Sequence, residues 1–250
     1  MTDLLSPHQP WADRLHVFDS LPSTNTYLKT LAAQGAPHGT AVLARTQTGG
    51  RGRMGRSFSS PEGQGVYLSV LLRPQCRVEA LMHLTCAVAV AMTEAVREAV
   101  GITPDIKWVN DLMMVGKKLG GILTELTIDR EGYAESAIVG VGINCLQDTF
   151  PPELKEIATS LKIATGSTVL PDTLAAHMLT AFSQMSLKKS VMDTYRQRCI
   201  TLGKEILLIQ GDAQRTGTAL DVTDDGGLLV LFPDGHKEII ASGEASVRNP

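Results

Sequence analysis

The chain has 250 residues, 43% of them hydrophobic and 20% charged, and a formal net charge of −3. That balance belongs to a folding chain with one sizeable core and room for a small second one. It excludes a disordered segment, and it excludes a protein that holds nucleic acid through an overall positive field, so any basic cluster is local.

The N-terminal stretch up to Leu15 has no basic segment leading into an apolar one, and nowhere do roughly 18 apolar residues run together. Export and membrane insertion are therefore not expected. Leu15–Phe18 reads as a strand, and Ser23 or Thr24 then offers an N-cap to a helix carrying Tyr27, Leu28 and Leu31 at helical spacing. Thr40–Ala44 and Val66–Leu72 are β-prone runs interrupted by a polar, glycine-rich loop. From Val78 to Val100 apolar positions such as Leu81, Leu84, Val88 and Met92 recur at helical spacing, and Gly101 closes the run, which predicts the main core helix. Ile106–Val109, Leu112–Val115 and Lys118–Leu126 follow, set off by Asn110-Asp111 and Gly116-Lys117, and read as an antiparallel meander.

Ala134–Asn144 is a further strand in which Gly140 and Gly142 leave space for a backbone or a ligand to approach closely. Pro171 and Asp172 open a helix through Met185, and Val191–Ile200 continues helical. After Gly203 the pattern changes to short strands, Glu205–Gln210, Arg215–Val222, Leu228–Phe232 and Lys237–Ser242, separated by glycine-rich turns. This predicts an extension over 1–14, a larger domain over 15–202 and a small all-β barrel over 203–250 that leans on it. Cys76, Cys86, Cys145 and Cys199 stand apart, without zinc or disulfide spacing, and are expected to be reduced, buried apolar residues of a cytoplasmic protein.

The loop over 49–56 carries Arg51, Arg53 and Arg56 among glycines. Gly50 to Gly55 satisfies the G-x-G-x-x-G letters of a dinucleotide site, but such a turn opens directly into a helix, whereas Ser57–Gly65 leads into a strand. No Gly-Lys-Ser or Gly-Lys-Thr follows, which excludes a Walker A loop, and the basic low-complexity setting of an RNA-binding RGG segment is absent. Two readings stay open on these residues alone: a solvated charged loop, or a clamp whose guanidinium forks match carboxylate and phosphate oxygens.

Five ordered motifs accompany the loop: Ser23-Thr24-Asn25; Gln47 with Gly50–Arg53; Lys107-Trp108-Val109-Asn110-Asp111; Lys118-Leu119-Gly120-Gly121-Ile122; and Gly140-Val141-Gly142-Ile143-Asn144. Together they resemble the biotin protein ligases, over about Leu15 to Arg248. The resemblance implies an α+β fold, a mixed sheet with helices like that of the class II aminoacyl-tRNA synthetases, followed by an SH3-like barrel. It also implies an enzyme that uses ATP with Mg2+ to turn biotin into biotinyl-5'-AMP and then biotinylates a lysine on the biotin carboxyl carrier protein of acetyl-CoA carboxylase or a related carboxylase. The chain departs from the family at Val109, usually proline, and Phe58, usually tryptophan. Fewer than twenty residues precede the predicted core, so no DNA-reading domain or repressor function is expected. The expected assembly is a monomer or homodimer, with no DNA or membrane partner.

By the same resemblance, Lys118, Arg53 and Arg51 are the catalytic candidates. Ser23, Thr24, Asn25, Gln47, Arg51, Gly52, Arg53, Lys118 and Gly121 are the biotin-binding candidates. Arg53, Arg56, Phe58, Lys107, Asn110, Asp111, Asn144 and Arg248 are the ATP candidates, Asn144 at a position that reads adenine and Arg248 reaching back from the barrel. Helix capping accounts equally for Ser23 and Thr24, and turn geometry for Asp111. Asn110 and Asp111 are expected to orient the site or to help hold the Mg2+ that accompanies ATP, and no resident protein-bound metal is expected. The segment from Gly49 to Gly65 is expected to act as a mobile lid.

Overall fold

A computed structural model describes residues 9–188, 190–211 and 213–247. The first strand, β1 (Leu15–Leu21), runs into α1 (Thr24–Ala33), whose N-cap Ser23 accepts from the Thr26 amide. β2 (Ala41–Gln47) returns parallel to β1, the one parallel pair in the larger sheet. β3 (Gly65–Leu72) is buried along its whole length, as a strand covered on both faces must be. The predicted antiparallel meander is present as β4 (Asp105–Lys107), β5 (Asp111–Met114) and β6 (Lys117–Ile128), and the further strand predicted after it is β7 (Ala134–Asn144). These strands form one seven-stranded mixed sheet in the order β1-β2-β3-β7-β6-β5-β4. β7 thus lies at its centre, between β3 and β6, and the site grows around its last residues.

The helix predicted over Val78–Val100 is divided. Val78–Leu81 form a 3-10 turn, and the α-helix α2 occupies Leu84–Val100. The reason is tertiary: the Val78 amide donates to Gly132 O at 3.0 Å, which pins the turn to the β6–β7 hairpin. Alanines 87, 89, 91 and 95 let α2 pack closely, and it is buried nearly all round against α4 (Pro171–Gln184), α5 (Val191–Arg198) and the sheet. The run Val78–Val100 is long and apolar enough to cross a membrane by composition, but most of it is core here. A five-residue helix, α3 (Leu161–Thr165), capped by Ser160, has no counterpart in the sequence reading because it shows little more than one turn of periodicity.

The strand expected to reach Val109 stops at Lys107, because the Trp108 amide turns away to donate to Thr201 Oγ1 at 3.0 Å. The C-terminal part is a five-stranded antiparallel SH3-like sheet of β8 (Glu205–Gln210), β9 (Ala213–Val222), β10 (Leu228–Leu231), β11 (Lys237–Ile240) and β12 (Glu244–Val247), in the order β11-β10-β9-β8-β12. β12 escapes sequence reading because its four residues are defined by pairing with β8, distant in the chain. The small sheet leans on the larger one as expected. Trp108 Nε1 donates to Gly226 O at 2.9 Å, Arg196 Nε donates to Val222 O at 2.7 Å, and one apolar cluster runs through both.

Cys86, Cys145 and Cys199 are buried and Cys76 is half-buried, and all four are free thiols. Burial pushes the Cys86 and Cys145 thiols up to about 12, so neither supplies a thiolate nucleophile near neutral pH.

Candidate active site

One cleft enclosing about 950 Å³, its solvent-open mouth included, takes residues from each of the five motifs named above. The α1 N-terminus supplies one wall through Ser23, Thr24 and Asn25. Gln47 at the end of β2 is locked there: its Oε1 accepts from the Thr24 amide at 2.8 Å and from Thr24 Oγ1 at 3.1 Å, and its Nε2 donates to Ser60 Oγ at 3.0 Å. Ser69 Oγ, buried behind them on β3, bridges Thr24 Oγ1 at 2.7 Å and Asn25 Oδ1 at 2.6 Å. The hydroxyls and amides of this wall therefore form one connected network, in which the two hydroxyl protons of Thr24 and Ser69 are shared over three close contacts.

The floor is made of small residues. Gly121 on β6 and Gly140 and Gly142 on β7 line the cleft, with Ile122, Leu123 and Val141 as apolar neighbours. A Cβ on Gly140 would fall on the Asn25 amide, and one on Gly142 would lie 2.5 Å from the Phe58 ring. The close approach expected at these glycines is made by two side chains of the site itself. Phe58 also meets the Tyr67 ring edge-on at 6.4 Å between centroids.

The opposite wall is cationic. The Gly49–Arg56 loop folds back on itself: Gly52 N donates to Arg56 O at 2.7 Å, Phe58 N donates to Gly50 O at 2.9 Å, and Arg51 bridges Ser57. Met54, in the left-handed region at φ 54°, and Gly55, at φ 75°, make its tip. Arg51, Arg53 and Arg56 from this loop, Lys107 from β4 and Lys118 from β6 line the same cleft. Each loop arginine finds an acceptor elsewhere in the chain. Arg53 donates to Asn110 Oδ1 at 3.0 Å and to Gly243 O at 3.2 Å, and Arg56 pairs with Glu244 at the start of β12. Arg51 stands 3.3 Å from Glu125. The loop is thus tied both to the β4–β5 turn and to the C-terminal sheet.

Lys118 Nζ donates to Asp111 Oδ1 at 2.6 Å, across the paired strands β5 and β6, and its Nζ lies over Gly121. Asn110 Nδ2 donates to Ile122 O at 2.9 Å, which holds the turn against β6. The hydrogen bond from Arg56 keeps the Glu244 carboxyl below its ordinary range; burial opposes this, while the charges of Arg56, Lys107 and Lys118 reinforce it. Among the described residues no three His, Cys, Asp or Glu side chains converge to hold a metal ion, and Asp111, weighed as a Mg2+ contact, is engaged by Lys118.

Two candidates stand apart. Asn144 does not line the cleft: its Nδ2 donates to Thr159 O at 3.0 Å and its Oδ1 accepts from Gln147 Nε2 at 3.0 Å, so its amide is used within the protein. A polar residue at a strand end can point to either side, and here the segment over 147–159 closes over it. Arg248 lies outside the described residues. Conversely, Met54, Ser57, Tyr67, Trp108, Leu123, Gly243 and Glu244 join the lining without having been singled out. Met54 and Ser57 lie in the segment expected to act as a lid, Trp108 lies inside a motif, and Gly243 and Glu244 precede Arg248 by a few residues; the others carried no signal.

Comparison with known proteins matches this arrangement. Residues 17–144 fit the model of the Biotin/lipoate A/B protein ligase family, and residues 201–248 fit that of the Biotin protein ligase C terminal domain. The chain is 37% identical to the bifunctional ligase/repressor BirA of Bacillus subtilis, over 90% of this chain and 71% of that one. It is 29% identical to the acetyl-CoA-carboxylase biotin ligase of Mycobacterium tuberculosis, over 92% of this chain and 88% of that one. In structure it is similar to the Aquifex aeolicus biotin protein ligase in complex with biotin and ATP, at a TM-score of 0.75 and 32% identity, over 95% of this chain and 99% of that one. With a cationic wall, a hydroxyl-and-amide wall and a glycine floor on one cleft, and with both family models matched in order, this chain belongs to the biotin protein ligase family of enzymes.

Proposed function

We propose that the cleft joins biotin to ATP as biotinyl-5'-AMP, with release of pyrophosphate, and then passes the biotinyl group to a lysine amine of a carboxylase biotin carrier domain. The observation that carries this reading is the convergence of Arg51, Arg53, Arg56, Lys107 and Lys118, from three separate segments, on a cleft whose other half is apolar and hydroxyl-lined. Such a pocket suits an apolar acid with a few polar groups on one side and a polyphosphate on the other. The Aquifex aeolicus protein, with biotin and ATP in its complex, and the Mycobacterium tuberculosis relative, named for acetyl-CoA carboxylase, support the same substrates and acceptor.

In the first step an anionic carboxylate approaches an anionic phosphate, so fixed cations must offset the repulsion and stabilise the charge that builds on phosphorus. Lys118, on a rigid strand, holds the carboxylate and the α-phosphate together. Arg51 and Arg53 close from the loop, and Arg56 and Lys107 face the outer phosphates with Asn110 and Asp111 orienting them. Ser23, Thr24, Asn25 and Gln47 face the ring system, and Gly52 and Gly121 let backbone approach the ligand. Phe58 covers the adenylate. Mg2+ bound with the nucleotide would offset the charge of its phosphates, with Asn110 and Asp111 the residues placed to orient or help hold it. In the second step the neutral acceptor amine attacks the mixed anhydride and AMP leaves. The loop over 49–65, tethered at Asn110, Gly243 and Glu244, shields that anhydride from water while bound, and its division of labour with residues 203–250 makes the small domain part of the site.

The test is incubation with ATP and either biotin, lipoate or octanoate, followed by pyrophosphate assay and mass detection of the adenylate, then addition of a biotin carrier domain. Biotinyl-5'-AMP and a carrier heavier by one biotinyl group are expected. Adenylate formed only from lipoate or octanoate, or ligand binding without pyrophosphate release, overturns the reading.

A further inference from the structure

Glu125, on β6, lies outside every motif of the sequence, yet three side chains converge on its carboxylate. Asn25 Nδ2 donates to Oε2 at 2.9 Å, Lys29 Nζ donates to Oε1 at 2.6 Å, and Arg51 Nη1 stands 3.3 Å from that same Oε1. The Glu125 side chain is 18% exposed, against 48% for Arg51 and 44% for Lys29, so it is the anchored member of the group. Burial alone would raise its pKa. The hydrogen bonds from Lys29 and Asn25 and the charges of Lys29 and Arg51 outweigh that, and the carboxyl stays ionised at neutral pH.

An ionised carboxylate only accepts hydrogen bonds, and so does a backbone carbonyl. Asn25 Nδ2 faces both, Glu125 at 2.9 Å and Leu123 O at 3.3 Å, so the chemistry of its partners dictates which side of the amide carries the nitrogen. Oδ1 then lies on the other side, accepts from Ser69 Oγ at 2.6 Å, and stands over Gly140 in the floor of the cleft. Both Asn25 hydrogens are committed, and what the residue has left for a ligand is an acceptor lone pair.

We infer that Glu125 is a positioning residue for the acid's half of the site: it fixes the Asn25 amide with its oxygen toward the cleft, ready to accept from a ligand N–H, and it docks Arg51 of the loop beside it. This rests on the reading of the cleft as a biotin-activating site, since a ureido ring offers such an N–H. A glutamine at 125 has an amide of its own that both donates and accepts, so the rule that orients Asn25 is lost while side-chain volume is kept.

The experiment measures initial rates of pyrophosphate release against biotin and against ATP for the full chain and for Glu125→Gln, Asn25→Ala, the double variant and Lys29→Met, with a melting curve for each. Glu125→Gln is expected to raise KM for biotin about tenfold, as loss of a charge-assisted contact does, with KM for ATP within about twofold. Asn25→Ala should absorb most of that effect, making the double variant nearly equal to Asn25→Ala alone. Lys29→Met, which removes only the solvent-facing partner, should leave KM for biotin within about twofold. Glu125→Asp, which keeps the charge but shortens the reach, is the second variant should the glutamine form melt early, and the same split is expected of it. Equal rises in both KM values, additive effects at 25 and 125, or a Lys29→Met shift as large as that of Glu125→Gln would overturn the assignment. A wild-type chain inert toward biotin overturns the ligase reading and this inference with it, whereas an active wild type whose Glu125 variants keep their biotin KM overturns the inference alone.

Discussion

The ammonium of Lys118 rests 2.6 Å from the Asp111 carboxylate, on paired strands that cannot drift apart, and so waits at a fixed point rather than sweeping through solvent. A charge held in place before the reaction costs little reorganisation when phosphate charge develops, and removing one such donor typically costs about 3 to 4 kcal/mol of transition-state stabilisation. Lys118→Ala is therefore expected to lower pyrophosphate release with biotin by roughly a hundredfold or more. Near-normal release would remove Lys118 from the chemistry. The second residue-scale prediction concerns Glu244. Its folded pKa is held below the ordinary value, mainly by the Arg56 hydrogen bond, so its contribution to stability is complete above the unfolded value of about 4.3 and fades as pH falls through the lowered folded value. The gap in melting temperature between wild type and Glu244→Gln should accordingly be widest near pH 7 and close in the acid range below about pH 4. A gap constant from pH 7 to pH 3 would show that the Arg56–Glu244 tether does not stabilise the fold through its charge.

At the scale of elements, the informative piece is the end of β7. Its two alternate glycines face the cleft because strand residues two apart share a face, and each yields its side-chain space to a ring or an amide arriving from another segment. Gly142→Ala would place a methyl 2.5 Å from the Phe58 ring, so the ring must shift. Overpacking of that kind commonly costs about 1 to 3 kcal/mol, and the loss should appear in ATP-dependent turnover more than in melting temperature, since Phe58 belongs to a loop. Gly142→Ala combined with Phe58→Ala, which removes the obstructing ring, should recover the melting temperature of Phe58→Ala alone. A double variant that melts well below it would locate the clash elsewhere. That Gly140 and Gly142 mark a close approach was legible in the sequence. That the approaching groups are Asn25 and Phe58 was not, because they lie far away in the chain and meet β7 only once β2, β3 and α1 are in place.

The whole molecule behaves as one core with a small sheet sealed onto it. α2 fills the centre, and residues of the C-terminal sheet such as Ile206, Val222 and Leu228 share its apolar cluster. Trp108, 3% exposed, joins the two parts by donating to Gly226 O. Trp108→Phe keeps an aromatic ring in the core but leaves that buried carbonyl without its donor, a loss of about 1 to 3 kcal/mol. The variant should melt earlier but still in a single transition, with tryptophan fluorescence and far-ultraviolet circular dichroism tracing the same curve. Two separated transitions would mean that the small sheet unfolds on its own.

Periodicity and spacing by themselves determined the long helices and most of the strands, though not the short α3 and β12, as well as where the composition turns all-β after Gly203 and which polar and basic residues gather in motifs, since all of these are local properties written within a few turns or one hairpin. The resemblance of the ordered motifs added the sheet architecture and the chemistry. Only the tertiary structure decided the partners: that Glu244 and Gly243 hold the arginine loop, that Glu125 holds Asn25, that Asn144 faces away into Thr159 and Gln147, and that the long apolar run breaks at Leu81 before α2. The physical reason is the same in each case. A charge or an amide does not record in its neighbours which distant group will satisfy it, and that choice is made by packing, when the elements that carry the two groups are brought face to face.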